Sequence, residues 1–143
     1  MRTTTIVASA SLVYDIDRSA PQSKRRVAGN LIREGLRHRH SVISYQVVQE
    51  FLNIATSKFS SAVKMSDAQQ YVITVFQPLL AVQSSLELFH EALDIRAQFR
   101  ISWYDSLIVA AAAISGCAVL YSEDLSHGMK VRGVRIENPF RPN

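Results

Sequence analysis

Two kinds of hydrophobic pattern alternate along the chain. The β-branched residues at 3–7 predict a first strand, and apolar side chains three and four positions apart predict a helix over 23–37. Further strands are predicted at 40–44, 79–82, 118–121 and 134–137, and further helices at 9–17, 46–58, 66–76, 84–99 and 103–115. The alternation predicts an α/β fold with a mainly parallel sheet of four to five strands and helices on both faces, in three layers.

Polar residues and chain breakers predict where several helices begin and end. Serine favours helix N-termini because its side chain accepts hydrogen bonds from free backbone N–H groups, whereas glycine and proline favour the ends. The predicted N-caps are Ser66 (with Asp67 in the first turn), either Ser84 or Ser85, and Ser102, and the predicted stops are Pro78 and Gly116. The segment at 134–137 precedes Pro139 and is predicted to be an edge strand.

Length and composition predict a folded domain without disulfides. The 143 residues, 48% apolar and 20% charged, are enough to bury a core, so we expect a single domain over 1–143. The longest apolar stretch, around 108–114, is too short to span a bilayer, and no signal-like region follows the N-terminus. A cytoplasmic location without membrane contact is therefore expected. Cys117 is the only cysteine, and its apolar neighbours predict a buried packing residue.

Basic residues are concentrated in the first third of the chain. The net charge of +4 permits a phosphate-rich partner but does not require one. Lys24, Arg25 and Arg26 lie early in a predicted helix, where positive charge opposes the helix dipole. These three side chains either guide an RNA backbone or form a solvated helix face, and the sequence leaves both alternatives open.

Three acidic residues, far apart in sequence, are predicted to meet at one edge of the sheet. Glu50 lies early in the helix after the second strand, and Asp105 lies in the first turn of the helix before the fourth strand. Asp124 follows the fourth strand, with Glu123 beside it. Ligands of such folds bind beyond the carboxyl ends of the strands. An all-oxygen cluster of carboxylates suits Mg²⁺ or Mn²⁺, which activates water for attack on a phosphodiester.

Each candidate residue also has a structural alternative. An acidic residue in a first helical turn, such as Asp105, often serves only the helix dipole, and Glu50 taken alone can face solvent. Ser44 either bonds a carboxylate or a metal-bound water, or caps the helix that follows it. His127 either contacts a phosphate or donates a proton, or is a structural loop residue. Trp103 either stacks on a base or packs against the fold.

Five sequence blocks, in order over nearly the whole chain, resemble those of a known family. They are TIVASASLVYDID from residue 5, SYQVVQEF from residue 44, SWYDSLIVAAA from residue 102, LYSEDLSHG from residue 120 and ENPF from residue 137. With these blocks the chain resembles PIN domains, and in particular the VapC-type ribonuclease toxins of type II toxin–antitoxin systems.

The resemblance implies a fold, a chemistry and a set of partners. PIN domains are three-layer α/β/α sandwiches with a parallel sheet, and they cut RNA with the help of Mg²⁺ or Mn²⁺. The resemblance makes Glu50, Asp105 and Asp124 the metal-binding and catalytic residues. VapC-type toxins commonly form homodimers, are held inactive by a cognate antitoxin, and often target transfer or ribosomal RNA.

The first block departs from the family pattern. PIN domains place Asp where this chain has Ala8 and usually Asn where it has Ala10, while Ser9 matches the small hydroxyl residue between them. Loss of a group that supports a metal ligand typically costs about 10–100-fold in affinity or activity, and loss of a ligand should cost at least as much. The chain is therefore predicted to be a poor nuclease, either because it was engineered or because it is a natural degenerate member.

Two other classes of protein share parts of this pattern. A PIN-like module without catalysis would bind RNA or a protein partner and would gain no cleavage from an aspartate at position 8. A phosphoacceptor receiver domain needs an acceptor Asp at the end of a central strand and a Lys near the end of the last strand. The sequence has no such Asp, and Lys130 lies in a predicted loop, so the receiver class is disfavoured.

Overall fold

A six-stranded sheet forms the centre of the part of the chain that this computed structural model describes, residues 4–57 and 64–141 without the side chain of Ser9. Its strands are β1 Thr5–Val7, β2 Ser41–Ser44, β3 Leu80–Val82, β4 Val119–Tyr121, β5 Lys130–Val131 and β6 Val134–Glu137. Their order across the sheet is β3-β2-β1-β4-β6-β5. Neighbouring strands are parallel except β5 and β6. The predicted fold class is thus confirmed, with one strand more than expected.

Strand β1 lies in the middle of the sheet and sets its register. Ile6 pairs with Val42 of β2 on one side and with Leu120 of β4 on the other. Ile6 and Leu120 are fully buried, as expected for a parallel sheet covered on both faces. Because β1, β2 and β4 run in the same direction, their carboxyl ends lie at one edge, which we call the carboxyl edge.

The prediction that 134–137 is an edge strand is wrong. β6 lies between β4 and β5, because the chain turns back at Arg132 and Gly133 and pairs β5 antiparallel with β6. Both turn residues have positive φ, 53° and 80°, as tight two-residue hairpins require. Strand β5 has two residues, which is too few for an alternating pattern to show in the sequence.

Helices cover the two faces of the sheet. They are α1 Ser9–Ile16, α2 Gln22–His38, α3 Tyr45–Ser57, α4 Met65–Tyr71, α5 Gln77–Leu79, α6 Leu86–Phe99 and α7 Trp103–Ile114. Helix α1 packs on α2 and α3, and α6 packs on α7. None of the described helices has both the length and the apolar character needed to cross a bilayer.

Two of the predicted helix boundaries between 66 and 78 are wrong. The N-cap of α4 is Lys64 rather than Ser66, and no side chain caps this helix. Pro78 does not end the helical stretch. A π-helical segment, Val72–Phe76, joins α4 to α5, and Pro78 lies at the beginning of α5. The helical backbone continues through Gln77, and Pro78, which lacks a backbone N–H, follows directly on the wider π-helical turn.

The other predicted caps agree with the structure. The Ser85 hydroxyl accepts a hydrogen bond from the Leu88 N–H at 3.0 Å, and the Ser102 hydroxyl accepts one from the Asp105 N–H at 3.1 Å. Helix α7 ends at Ile114, and Gly116 adopts the positive φ of 74° that lets the chain turn into β4. Cys117 is buried, as predicted.

A close approach at Gly35 fixes α2 against β2. A Cβ atom at this position would lie 2.6 Å from both Cβ and Oγ of Ser41. Real side chains do not tolerate such a contact, and Ser41 is itself held by a hydrogen bond of 2.9 Å to the Thr5 hydroxyl. The backbone of α2 can lie this near the sheet only because residue 35 is glycine.

Gly35→Ala is expected to destabilise the protein, and Gly29→Ala provides the matched control. Both changes add the same helix propensity to α2, worth up to about 1 kcal/mol. At Gly29 a new Cβ meets only the flexible ends of Arg33 and Asp15, at 3.1 and 3.3 Å. We expect a loss of about 1–3 kcal/mol in the free energy of unfolding for Gly35→Ala, from overpacking, and no loss for Gly29→Ala. Urea denaturation measures both, and equal stabilities would contradict the close approach.

Candidate active site

Position 8 lies at the carboxyl edge, where β1 meets β4. The Ala8 N–H donates a hydrogen bond of 3.0 Å to the carbonyl of Tyr121, the last residue of β4. Ala8 is also the N-cap of α1, with extended backbone and no side-chain capping bond. The methyl group offers no oxygen to the free N–H groups of α1 or to a cation. An acidic side chain at this position would begin between the ends of two central strands.

The first turns of α3 and α7 are joined at the same edge. The buried Gln46 side chain donates a hydrogen bond from Nε2 to the carbonyl of Tyr104, at 2.9 Å. Asp105 is the next residue of α7, and Glu50 lies one turn beyond Gln46 along α3. Both carboxylates are half-buried. Their helices therefore begin side by side, although 55 positions separate the two residues in the sequence.

Asp124 interacts electrostatically with Asp105. Asp124 lies in the loop after β4, where its N–H donates to the Ser122 hydroxyl at 3.2 Å. Partial burial, followed by the negative charges of Asp105 and Glu123, raises the pKa of Asp124 above its usual value. A raised pKa means that ionising Asp124 at neutral pH costs folding free energy. A cation beside these carboxylates would lower that cost.

Glu123 differs from Asp124 because its charge is already paired. The Tyr14 hydroxyl donates to Oε1 of Glu123, and Lys24 Nζ donates to Oε2 at 3.0 Å. Lys24 also donates to the Tyr14 hydroxyl at 3.2 Å, and the hydrogen bond to Glu123 is the main reason that the pKa of Lys24 is raised. Tyr14, Lys24 and Glu123 thus connect α1, α2 and the loop after β4.

Two buried oxygen atoms near this edge lack hydrogen-bond partners. Among the residues described, buried side-chain atoms without a partner include Ser44 Oγ and Gln46 Oε1. The alternative that Ser44 caps α3 is therefore wrong. Ser44 still belongs to β2, where it pairs with Val82 of β3, and its fully buried hydroxyl makes no capping bond. Both oxygens can accept hydrogen bonds from ordered water, the usual solution for buried polar groups.

The donor atoms at this edge suit Mg²⁺ or Mn²⁺ in type but do not form a complete set. Carboxylate, hydroxyl and amide oxygens are the ligands that these hard cations prefer. Within 4–57 and 64–141, however, no group of three or more His, Cys, Asp or Glu side chains is placed to hold a metal ion. Ala8, the residue directly after β1, has no side-chain oxygen and so adds no ligand to Asp105 and Asp124.

The remaining predicted site residues lie elsewhere or have other partners. His127 is exposed, and its Nδ1 accepts a hydrogen bond from the Asn138 N–H at 3.1 Å. Arg25 and Arg26 line a separate cleft beside α1. Trp103 packs against the core beside Phe89, in agreement with its packing alternative. The side chain of Ser9 falls outside the described residues.

Sequence reasoning missed three residues that organise the site. Gln46 joins α3 to α7, Tyr14 holds Glu123, and Ser122 holds the Asp124 backbone. A glutamine on the otherwise apolar buried face of α3 was the available signal for Gln46. Tyr14 and Ser122 carry no comparable signal, because their roles depend on contacts between elements distant in sequence.

The family model for the PIN domain matches residues 11–127, and the chain belongs to this family. No curated protein matches the chain in sequence. Solved structures nevertheless share its fold. A toxin–antitoxin complex from Klebsiella pneumoniae contains a chain with 15% identity and a TM-score of 0.67, covering 95% of this chain and 98% of that one.

Two further structures show the same likeness. FitAcB from Neisseria gonorrhoeae has a chain with 12% identity and a TM-score of 0.67, covering 97% of this chain and 100% of that one. VapBC2 from Rickettsia felis, bound to a DNA fragment from its promoter, has a chain with 16% identity and a TM-score of 0.65, covering 94% and 98%. At such identities the likeness concerns the fold.

Proposed function

We propose that this protein is a metal-dependent endoribonuclease toxin of a toxin–antitoxin pair, weakened by alanine at position 8. The observation that carries the proposal is the electrostatic interaction between Asp124 and Asp105 at the carboxyl edge of a PIN fold. A carboxyl group such as Asp124, whose pKa is raised by burial and by a neighbouring carboxylate, is typical of sites built for a cation or for proton transfer.

In this proposal each polar group has a definite task. Asp105 and Asp124 would hold Mg²⁺ or Mn²⁺, with Glu50 joining them from α3. The bound ion would polarise the phosphodiester and supply an activated water. The unpartnered oxygens of Ser44 and Gln46 would accept hydrogen bonds from water at the site. The first turns of α3 and α7, whose free N–H groups favour anions, would face the phosphate.

The partners are proposed from the resemblance of this chain to toxins of toxin–antitoxin systems. The similar structures include complexes described as toxin–antitoxin pairs, which supports a cognate antitoxin for this chain. RNA of the transfer or ribosomal class is the proposed substrate, a homodimer the proposed assembly and the cytoplasm the proposed location. His127, with its Nδ1 bonded to the backbone, is proposed only as a supporting residue, together with Ser9 and Glu123.

Metal binding provides the direct test. We expect the protein to bind Mn²⁺ weakly, as measured by the loss of the free-ion signal in electron paramagnetic resonance. Asp105→Asn should weaken that binding by about tenfold or more, because it removes a ligand charge while keeping the helix. The matched control is Asp94→Asn on α6, an exposed aspartate whose removal should leave the affinity unchanged. Equal affinities for both variants would contradict the proposed metal site.

A second candidate function is favoured by the incomplete donor set. With Ala8 in place and no described group of three metal-binding side chains, a PIN module that only binds RNA or protein is a real alternative. This module would bind RNA equally well in Mn²⁺ and in a chelator. It would not cleave RNA, and neither Asp105→Asn nor Ala8→Asp would alter that result. Metal-dependent cleavage that needs Asp105 would exclude it.

A further inference from the structure

A cleft rich in arginine lies between α1 and the first half of α2. Its volume is about 370 Å³, and it is lined by Asp15, Gln22, Arg25, Arg26, Gly29 and Arg33. The lining contains three arginines and a single carboxylate, so the cleft carries a net positive charge. We call it the arginine cleft.

The only acidic side chain of the lining is already engaged. The Tyr71 hydroxyl donates a hydrogen bond of 2.8 Å to Oδ2 of Asp15. Arg33 donates to the Asn30 side chain at 2.7 Å, a neutral acceptor, and Gly29 leaves room for the Arg33 guanidinium beside Asp15. The positive charges of the lining thus exceed the negative ones within the described residues.

Arg25 lacks an acceptor for one of its buried donors. Its side chain is half-buried, and the Nε atom is buried without a hydrogen-bond partner among the residues described. Several other cations among the described residues are paired, for example Lys24 with Glu123 and Arg135 with Glu137. A guanidinium donor that is buried and unpaired beside other guanidinium groups fits an anion as its missing acceptor.

The spacing of the arginines suits an extended anion. Arg33 lies about two turns beyond Arg26 on α2, and this separation of seven residues spans roughly 10 Å. The planar guanidinium fork binds phosphate oxygens in pairs, which favours phosphate over a simple halide. A row of this length can contact more than one phosphate along a chain.

The arginine cleft and the candidate active site draw on the same two helices, α1 and α2. Tyr14 and Lys24 bind Glu123, the neighbour of Asp124, whereas the next residues in each helix, Asp15 and Arg25, line the cleft. A polymer that leaves the acidic edge along α1 and α2 would meet the cleft. We propose that the arginine cleft binds the phosphate backbone of the RNA strand whose cleaved bond lies at the acidic edge, an inference that rests on the proposed function.

Binding of RNA without cleavage tests this inference. The probe is fluorescein-labelled polyuridine, and its fluorescence anisotropy is measured with the full chain in EDTA over a range of KCl concentrations. Arg26 and Arg33 are both exposed, so their replacement should not disturb folding, which circular dichroism checks. We expect the double variant R26Q/R33Q to bind about tenfold or more weakly. The slope of log K against log salt should fall by about 1.4, since each single-strand phosphate contact contributes about 0.7.

Two further double variants control for charge. R37Q/R39Q removes the same charge from the far end of α2, where Arg37 is already paired with Glu34, and should change the affinity by less than about twofold. R26K/R33K keeps the charge but loses the guanidinium fork, so the salt slope should stay and the affinity should fall only a few-fold. Equal losses in R26Q/R33Q and R37Q/R39Q would overturn the inference.

The outcomes separate this inference from the proposed function and from a protein partner. If the chain never cleaves RNA in Mn²⁺ but R26Q/R33Q still loses RNA binding, the proposed function fails and the arginine cleft stands as an RNA site. If cleavage depends on Asp105 while R26Q/R33Q binds RNA normally, the cleft inference alone fails. Tighter binding of polyglutamate than of polyuridine, lost in R26Q/R33Q, would overturn the inference in favour of an acidic protein segment.

Discussion

Ala8→Asp is expected to raise Mg²⁺-dependent RNA cleavage by at least about 10–100-fold over the chain with alanine. Position 8 follows β1 directly and is hydrogen-bonded through its N–H to the carbonyl of Tyr121 at the end of β4, the strand that leads into the Asp124 loop. A carboxylate there would complete an oxygen donor set that now lacks a member. Cleavage of labelled transfer RNA in Mg²⁺, Mn²⁺ and EDTA measures the gain.

The same substitution has a second effect, on helix α1, that must be separated from the first. Position 8 is the N-cap of α1, and Asp or Asn in place of Ala there stabilises a helix by about 1 kcal/mol. Ala8→Asn therefore serves as the control, since it supplies the cap oxygen without the charge. We expect Ala8→Asn to raise thermal stability without raising cleavage.

Metal dependence of stability gives an independent measurement. Without a cation, Ala8→Asp places a third negative charge near Asp105 and Asp124, which opposes the benefit of the cap. Adding Mn²⁺ should therefore raise the melting temperature of Ala8→Asp more than that of Ala8→Asn. The nuclease proposal would be wrong if a folded Ala8→Asp protein neither cleaved RNA nor responded to metal.

Phe51→Ala is expected to lower the free energy of unfolding by about 3–5 kcal/mol. Phe51 is fully buried, lies parallel to the Tyr71 ring with centroids 5.0 Å apart, and meets the Phe76 ring edge-on at 4.9 Å. Removing the ring leaves a cavity among aromatic groups that are themselves fixed. Tyr71 cannot easily move into it, because its hydroxyl is bonded to Asp15.

Urea denaturation monitored by circular dichroism measures this loss. Leu86→Ala is the control, since Leu86 is 85% exposed and its truncation should change stability by less than about 0.5 kcal/mol. Phe51 follows Glu50 in α3, so a Phe51→Ala protein that still folds should also bind Mn²⁺ less well. A loss below about 1 kcal/mol would show that the three rings do not form a tightly packed cluster.

The order of strands and helices could be predicted because each longer element carries its own periodicity. The helix at 23–37 and the strand at 40–44 lie within a residue of their observed bounds. Elements that form only through tertiary contacts could not be predicted from the sequence. The two-residue β5 pairs only with β6, and no pattern in the sequence marks the π-helical segment before Pro78.

The site could be predicted only as a location. The carboxyl ends of parallel strands must share an edge, which is why Asp105 and Asp124 were expected to be near each other. Which groups neutralise one another there is decided by contacts between helices, such as the pairing of Lys24 with Glu123. The metal-binding roles of Glu50, Asp105 and Asp124 therefore stay predictions, which the measurement of Mn²⁺ binding tests.

The close approach of Gly35 to Ser41 affects the length of RNA that lies between the arginine cleft and the acidic edge. It holds α2, and with it the arginine cleft, at a set height above the sheet whose edge carries the acidic residues. If RNA binds as proposed, the fold then fixes the distance between the phosphates held in the arginine cleft and the bond that is cleaved at the acidic edge. The footprint on RNA should have a constant length, and products should end a constant number of nucleotides from the anchored segment, whatever the base sequence.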